Sequence, residues 1–259
     1  MRKEAVKQME QIGYETDVHI SYFQVDAKGK MTLSALLAML QEMAILHSAQ
    51  LGFTVEYLQE KQRGWVLLNW HLLLKRMPEQ GETIHVETWS DKCRRLQAER
   101  SFRIVDKAGT EILLGKSRWI YMDLEKRHPD MIPEDMIAAY LSNQKPAIAD
   151  EHFLLPAVAE GEAPFSVMEV KVTRRDVDTN GHANNVKYFE WVMDDVPDVI
   201  YDGMKLTEIM AFYRKECYRG DVVRVETYIR QQEGGKEVVS LLKDHVQGHA
   251  IAQIVTRWQ

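Results

Sequence analysis

The chain has 259 residues, of which 45% are hydrophobic and 28% charged, and a formal net charge of −6. That length fits one large domain or two of ordinary size, with enough apolar material for a real core. The acidic balance excludes a global basic field for nucleic acid, and no apolar run approaches the ~18 residues of a membrane span.

The N-terminal Met-Arg-Lys-Glu-Ala-Val-Lys-Gln lacks the apolar h-region of a secretory signal. The two cysteines, Cys93 and Cys217, have no paired spacing and read as thiols in a reducing compartment. A cytoplasmic location is the resulting expectation.

In chain order, a strand over 14–25 leads into a helix over about 33–48. The helix is apolar on most of its circumference (Leu33, Leu36, Leu37, Leu40, Met43, Ala44), which predicts burial rather than a surface position. Strand patterns follow at about 64–77, 81–90, 95–106 and 111–123. Residues 126–165 hold five of the seven prolines (Pro129, Pro133, Pro146, Pro156, Pro164) and read as a linker with one short helix near 134–142. Beyond it come a strand near 167–175, a polar run, a helix, and strands over 205–217, 220–231, 236–246 and 248–258. The expected division is therefore 1–125, a linker 126–165, and 166–259.

The two halves share more than element order. Gly81-Glu-Thr-Ile-His-Val-Glu-Thr-Trp89 aligns with Gly220-Asp-Val-Val-Arg-Val-Glu-Thr-Tyr228; each opens on a turn glycine and an acidic residue, then alternates as a strand does. Duplication accounts for this best. It predicts an α+β protein in which an antiparallel sheet wraps a buried helix, twice, each copy covering what the other leaves open.

The polar run is Asp176-Val-Asp-Thr-Asn-Gly-His-Ala-Asn-Asn-Val-Lys-Tyr-Phe-Glu-Trp191. Asp178, Asn180 and His182 recur at every second position, which in an extended segment points them the same way. Asn184 and Asn185 are good N-cap types ahead of Tyr188, Trp191 and Val192 at helical spacing, so the polar groups precede a helix N-terminus. Two plainer readings compete. The run matches the first half of a calcium loop, but the twelfth position, where a bidentate Glu belongs, is Lys187, a cation. It also reads as a turn that only caps the helix.

The second half closely resembles the acyl-ACP thioesterases. Their motif Asp-x-Asp-x-Asn-x-His-x-Asn-Asn followed by Tyr and Trp stands at Asp176 to Trp191, and their Tyr-Arg-basic-Glu-Cys string at Tyr213-Arg214-Lys215-Glu216-Cys217. In the first half, Leu-Gln-Glu-Met-Ala (40–44), Trp65 to Arg76 and the Gly81–Trp89 strand look similar too. The resemblance implies a tandem (double) hot-dog fold, hydrolysis of the fatty acyl-acyl carrier protein thioester, and no cofactor or metal. It implies a catalytic set of Asp178, Asn180, His182 and Glu216, with Cys217 either a neighbour or the nucleophile of a cysteine scheme. Plant members carry an N-terminal extension that is missing here, so the chain looks like a bacterial member. The first half has Asp26-Ala-Lys-Gly-Lys-Met where the motif would fall, so one active site per chain is expected, with the first half devoted to the acyl chain.

The chemistry of the residues fits this implication. His182 can move a proton near neutral pH, Glu216 can activate water, and Asn180 with backbone N–H groups can hold an oxyanion. Asp178 either orients the others or attacks directly to give a mixed anhydride. Met39, Met43, Trp65 and Trp70 are candidates for the acyl pocket, and equally for plain core. The expected partner is an acyl carrier protein bearing a phosphopantetheine-linked chain, with a homodimer left open. Such carriers are strongly acidic, so local basic groups are needed: Lys92, Arg94, Arg95, Arg174, Arg175, Arg214 and Lys215 are the candidates. The rival readings are a coenzyme A thioesterase of the same fold and a non-catalytic acyl-binding module.

Overall fold

The computed structural model describes residues 13–142, 144–149 and 154–259. The N-terminal octapeptide, and parts of the 1–125 and 126–165 segments, lie outside the described residues. Strand β1 (Tyr14–His19) precedes helix α1 (Leu33–Gln50), helix α2 (Val55–Glu60) and strands β2 (Arg63–Leu74), β3 (Thr83–Arg94), β4 (Gln97–Val105) and β5 (Glu111–Asp123). A two-residue strand β6 (His128–Pro129) and helix α3 (Glu134–Tyr140) follow. The second half supplies β7 (Ser166–Lys171), α4 (Asn185–Asp194), α5 (Asp198–Tyr201), β8 (Leu206–Tyr213), β9 (Val222–Gln232), β10 (Gly235–Asp244) and β11 (Ala250–Trp258).

The strands form one sheet in the order β1-β3-β4-β5-β2-β8-β11-β10-β9-β7, with β6 on β5. Every pairing between strands is antiparallel. Read outward from the centre, each half contributes the same sequence of roles: β2 and β8, β5 and β11, β4 and β10, β3 and β9, β1 and β7. The halves meet where β2 pairs with β8 across Asn69↔Phe212 to Leu73↔Glu208. At this seam His71 Nε2 lies 2.7 Å from Glu208 Oε1, whose other oxygen accepts from Arg257 Nη1 at 2.7 Å.

α1 is buried as its pattern predicts: Leu36, Leu37, Leu40 and Met43 share one core with Val186, Tyr188, Phe189 and Val192 of α4. The duplicated sheet-and-helix expectation therefore holds, and the two units close over a common interior. Three predicted strands end at least four residues before their patterns do. The run 14–25 ends at His19, because Ser21 and Gln24 form a capping box around a 3-10 turn at Tyr22–Gln24. The run 167–175 ends at Lys171 for the same reason, with Thr173 and Asp176 capping a 3-10 turn at Arg174–Asp176. The run 205–217 stops at Tyr213. Polar residues satisfying their own backbone override strand pattern in the first two cases.

Of the pocket candidates, Met39, Met43 and Trp70 are core residues, at 9%, 2% and 0% exposure. Trp70 packs against Phe102 and Trp119, with ring centroids 5.3 and 6.5 Å apart. Trp70→Ala is expected to cost about 3–5 kcal/mol by denaturant unfolding, because it empties the interior next to the seam strand.

Candidate active site

The polar run folds as a tight loop rather than an extended strand, which corrects the period-two reading. Asp178 Oδ1 accepts from the Asn180 amide at 2.8 Å, Gly181 adopts φ +83° and donates to the Asp178 carbonyl, and Asp178 N donates to the His182 carbonyl. An Asx turn closed by a left-handed glycine reverses the chain within five residues. The loop is held at both ends: Asn184 N donates to the Asp176 carbonyl, and Ala183 N to the Cys217 carbonyl, each at 2.8 Å. Asn184 then caps α4, its Oδ1 accepting from Val186 N at 3.0 Å.

The turn separates the polar groups. Asp178, Thr179, Asn180 and Asn184 line a cavity of ≈ 510 Å³. His182 turns to the segment after β8, where its Nδ1 lies 3.4 Å from Glu216 Oε1. Tyr218 closes this side. Its hydroxyl donates to Glu216 Oε2 at 3.3 Å, and its ring stands edge-on to His182 at 5.0 Å. Tyr218 escaped the sequence reading, although it follows the Glu-Cys pair directly. Among the described residues, the group of His and carboxylates that could hold a metal is Glu15, His85 and Glu87 on β1 and β3, which shares no residue with this loop.

Cys217 is 1% exposed, with its thiol against the Tyr188 hydroxyl; burial pushes the thiol pKa up to about 11. A thiol so buried is protonated at neutral pH and a poor nucleophile.

The same loop occurs in the first half with other side chains. Lys28 N donates to Asp26 Oδ1, Gly29 takes φ +72° and donates to the Asp26 carbonyl, and Asp26 N donates to the Lys30 carbonyl. Thr32 caps α1 as Asn184 caps α4. Lys28 and Lys30 thus stand where the other copy has Asn180 and His182, and Lys28 is tied to Asp202 in a salt bridge. The backbone device is duplicated and the polar set is not.

Apart from the loop residues, the cavity beside Asp178 is walled by the first half. One stripe of α1 (Gln41, Ala44, Ile45, Ser48) faces α2 (Val55, Leu58), α3 (Tyr140) and the inner faces of β2, β4 and β5 (Trp65, Ala98, Arg100, Trp119). Of the four predicted pocket residues, Trp65 alone is among its lining. His47 lies behind this stripe and accepts at Nδ1 from Arg100 Nη1 at 2.8 Å. Burial first, and then the Arg100 charge, lower its pKa from 6.5 to about 3. The folded protein therefore refuses a proton that the unfolded chain takes up below pH 6.5. Stability is unaffected above that pH and falls as pH drops through the window from 6.5 toward 3. Between pH 7 and pH 5 the loss from His47 is expected to be about 2 kcal/mol, and His47→Gln should remove that part of the slope in denaturant titrations.

Arg94, Arg95, Arg174, Arg175, Arg214 and Lys215 are all exposed. Arg174 and Arg175 lead directly into the loop; the matching positions of the first half carry Tyr22 and Phe23, 80% and 84% exposed. Lys92 instead pairs with Glu99 at 3.4 Å. Among the described residues, no helix is long and apolar enough to cross a membrane.

Known proteins share both sequence and architecture with the chain. Residues 11–140 match the family model of the acyl-ACP thioesterase N-terminal domain, and residues 160–259 that of the C-terminal domain. Oleoyl-acyl carrier protein thioesterase 1 of Arabidopsis thaliana is 26% identical over 238 residues, spanning 86% of this chain and 66% of the relative. Dodecanoyl-[acyl-carrier-protein] hydrolase of Umbellularia californica is 25% identical over 93% of this chain and 66% of its own length. The chain thus spans just under two thirds of these relatives. The crystal structure of an acyl-ACP thioesterase from Bacteroides thetaiotaomicron superposes with a TM-score of 0.83 at 25% identity, covering 96% of this chain and 99% of that one. The 12:0-ACP thioesterase from Umbellularia californica gives 0.84 at 24% identity, over 96% and 97%. With both halves matched in order and the double hot-dog architecture in place, the chain belongs to the acyl-ACP thioesterase family.

Proposed function

We propose that the protein hydrolyses the thioester of fatty acyl-acyl carrier protein, releasing the free fatty acid and ending chain elongation. One observation carries the reading: Asp178 and Asn180 border an apolar-walled cavity, while the same loop sets His182 beside Glu216. A thioester held at the loop has its acyl chain in the first half and its carrier arm outside. Glu216 serves as the base for water, and His182 relays the proton to the leaving thiolate. The Asn180 side-chain amide and the backbone N–H groups opening α4 are the donors for the tetrahedral oxyanion. Asp178 Oδ1 already holds the turn through the Asn180 amide, which supports an orienting role over direct attack. The Cys217 thiol supports the packing beneath the loop and takes no part in this scheme.

On this reading the segment 1–125 forms the acyl half, 166–259 the half that carries the chemistry, and 126–165 the tether between them. The enzyme acts in the cytoplasm, where acyl carrier protein is met. The decisive assay measures kcat/KM on acyl-ACPs beside the matching acyl-CoAs. Preference for acyl-ACP supports the proposal, and faster turnover of acyl-CoA moves the carrier to coenzyme A. Arg174 and Arg175 dock the acidic carrier on this reading. Reversing both to Glu is expected to raise KM for acyl-ACP about tenfold at low salt and to leave a short acyl-CoA nearly unchanged. Equal losses on both substrates would instead assign the two arginines to the loop itself.

A further inference from the structure

The inner face of β4 reads Ala98, Arg100, Phe102, Ile104: three apolar residues and one guanidinium. Arg100 is 6% exposed and lines the cavity. Its partners are neutral. Nη1 donates to His47 Nδ1 at 2.8 Å and to Thr88 Oγ1 at 3.2 Å, and the guanidinium sits 5.8 Å from the Tyr140 ring centroid. Among the described residues no carboxylate lies within salt-bridge distance of it; Asp91 acts on its charge only from farther off. His47 cannot share the charge, because the same guanidinium and burial keep its ring neutral. A buried cation without a counter-ion is costly, and buried charges are ordinarily paired.

A second donor stands beside it. Trp65 lines the same cavity, and its buried Nε1 lies near the Tyr140 hydroxyl without completing a hydrogen bond of good geometry to it. The hydroxyls nearby are already engaged: Tyr140 donates to Ser48, which donates to the Ala44 carbonyl, and Ser90 donates to backbone carbonyls. Much of the remaining wall is apolar, among it Ala44, Leu58 and Leu124, with Gln41, Gln59 and Arg63 also in the lining; Arg63 is paired with Asp123 and Asp130. A buried cation with no ion pair and an indole donor with no acceptor therefore lie together in a largely apolar cavity. Through its bond to His47, Arg100 is placed six residues beyond Gln41 along α1, about 9 Å at the helical rise. A full-length methyl-ended chain would offer the guanidinium no countercharge and the indole no acceptor.

We propose that the cavity takes an acyl chain ending in a carboxylate, with Arg100 receiving the carboxylate and Trp65 Nε1 adding a hydrogen bond. A carboxylate matches the fork of donors on a guanidinium and supplies the missing countercharge, which a neutral oxygen does not. This inference rests on the reading of the cavity as the acyl site.

The test uses the intact protein and acyl-ACPs of eight, ten and twelve carbons, each ending in methyl, hydroxyl or carboxylate. The expected result is a kcat/KM at least about tenfold higher for the carboxylate-ended chain at one or more lengths, a factor of ten being the least that one desolvated charge pair should give. Arg100→Gln should reverse that order while methyl-ended chains are still hydrolysed, and Arg100→Lys should keep part of it. Preference for methyl-ended chains at every length would overturn the proposal, as would equal losses on all chains in Arg100→Gln, the signature of a purely structural arginine. Preference for hydroxyl-ended chains would overturn the carboxylate in favour of a neutral acceptor. Calorimetric titration with the free mono- and dicarboxylic acids needs no turnover. Tighter binding of the diacid with no hydrolysis of any thioester would leave the subsite standing and strike the thioesterase reading; equal binding of both acids would strike the subsite.

Discussion

Replacing His182 with Ala is expected to lower kcat on acyl-ACP by about 10²–10⁴-fold, the range for loss of a positioned proton-transfer group. The loop should survive the change, because its shape depends on Asp178 Oδ1, Gly181 and backbone bonds to Asp176 and Cys217 rather than on the imidazole. Glu216→Gln should give a loss of the same order, and the double variant little more than either alone, since groups acting as a unit are not additive. Asp178→Asn is a subtler case. An amide oxygen can still accept from the Asn180 amide, so the turn should hold while the charge is lost. Cys217→Ala is the control: its thiol is buried and protonated at neutral pH, so turnover should stay within a few-fold of the parent. A folded Cys217→Ala as inactive as His182→Ala would establish the thiol as nucleophile and overturn the water mechanism.

The second large effect concerns chain length. Ala44 faces the cavity from α1 and Leu58 faces it from α2. Ala44→Phe removes room for several methylenes. At about 0.8 kcal/mol for each CH₂ left without a place, three of them amount to about 2.4 kcal/mol, or about 60-fold in kcat/KM for the longest chain accepted. Shorter chains should be nearly unaffected, so the optimum moves down. Leu58→Ala should move it up, at a cost of about 2–5 kcal/mol in stability. Met43→Leu serves as reference, because Met43 sits in the shared core and is not among the lining residues. The same profile in all three variants would place the acyl chain elsewhere.

Much of this architecture could be read from the residues. The apolar circumference of α1 announced its burial, and the Gly81 and Gly220 strands announced the duplication. Patterns of two and 3.6 survive here because each element has one dominant environment. What escaped the reading was settled by polar side chains bonding their own backbone. Ser21 with Gln24 and Thr173 with Asp176 end strands early, and Asp178 bends the site loop that alternation alone would leave straight. The pocket was only partly legible for a different reason. A lining residue and a core residue have the same composition, and the bulge after Leu67 puts Trp65 and Trp70 on one face of β2, so they could not be told apart without knowing which end of that face is left uncovered. Arg100 did carry a signal, as the one charge in register with Ala98, Phe102 and Ile104. Its meaning required knowing that no carboxylate among the described residues comes within salt-bridge distance of it.

The seam between β2 and β8 has a consequence for assembly. A sheet half of this kind exposes a strand edge that a second molecule would otherwise cover, and such pairing depends on concentration. Here one polypeptide brings both edges together, so closure of the sheet is unimolecular and its stability needs no partner by mass action. Among the described residues the sheet ends at β1 and β7, each six residues long. Their exposed positions include Glu15, Asp17 and His19 on one and Glu169 and Lys171 on the other. Short, charged borders are poor templates for a further strand. The fold thus joins its halves along an apolar interior and guards both outer rims against edge-to-edge aggregation.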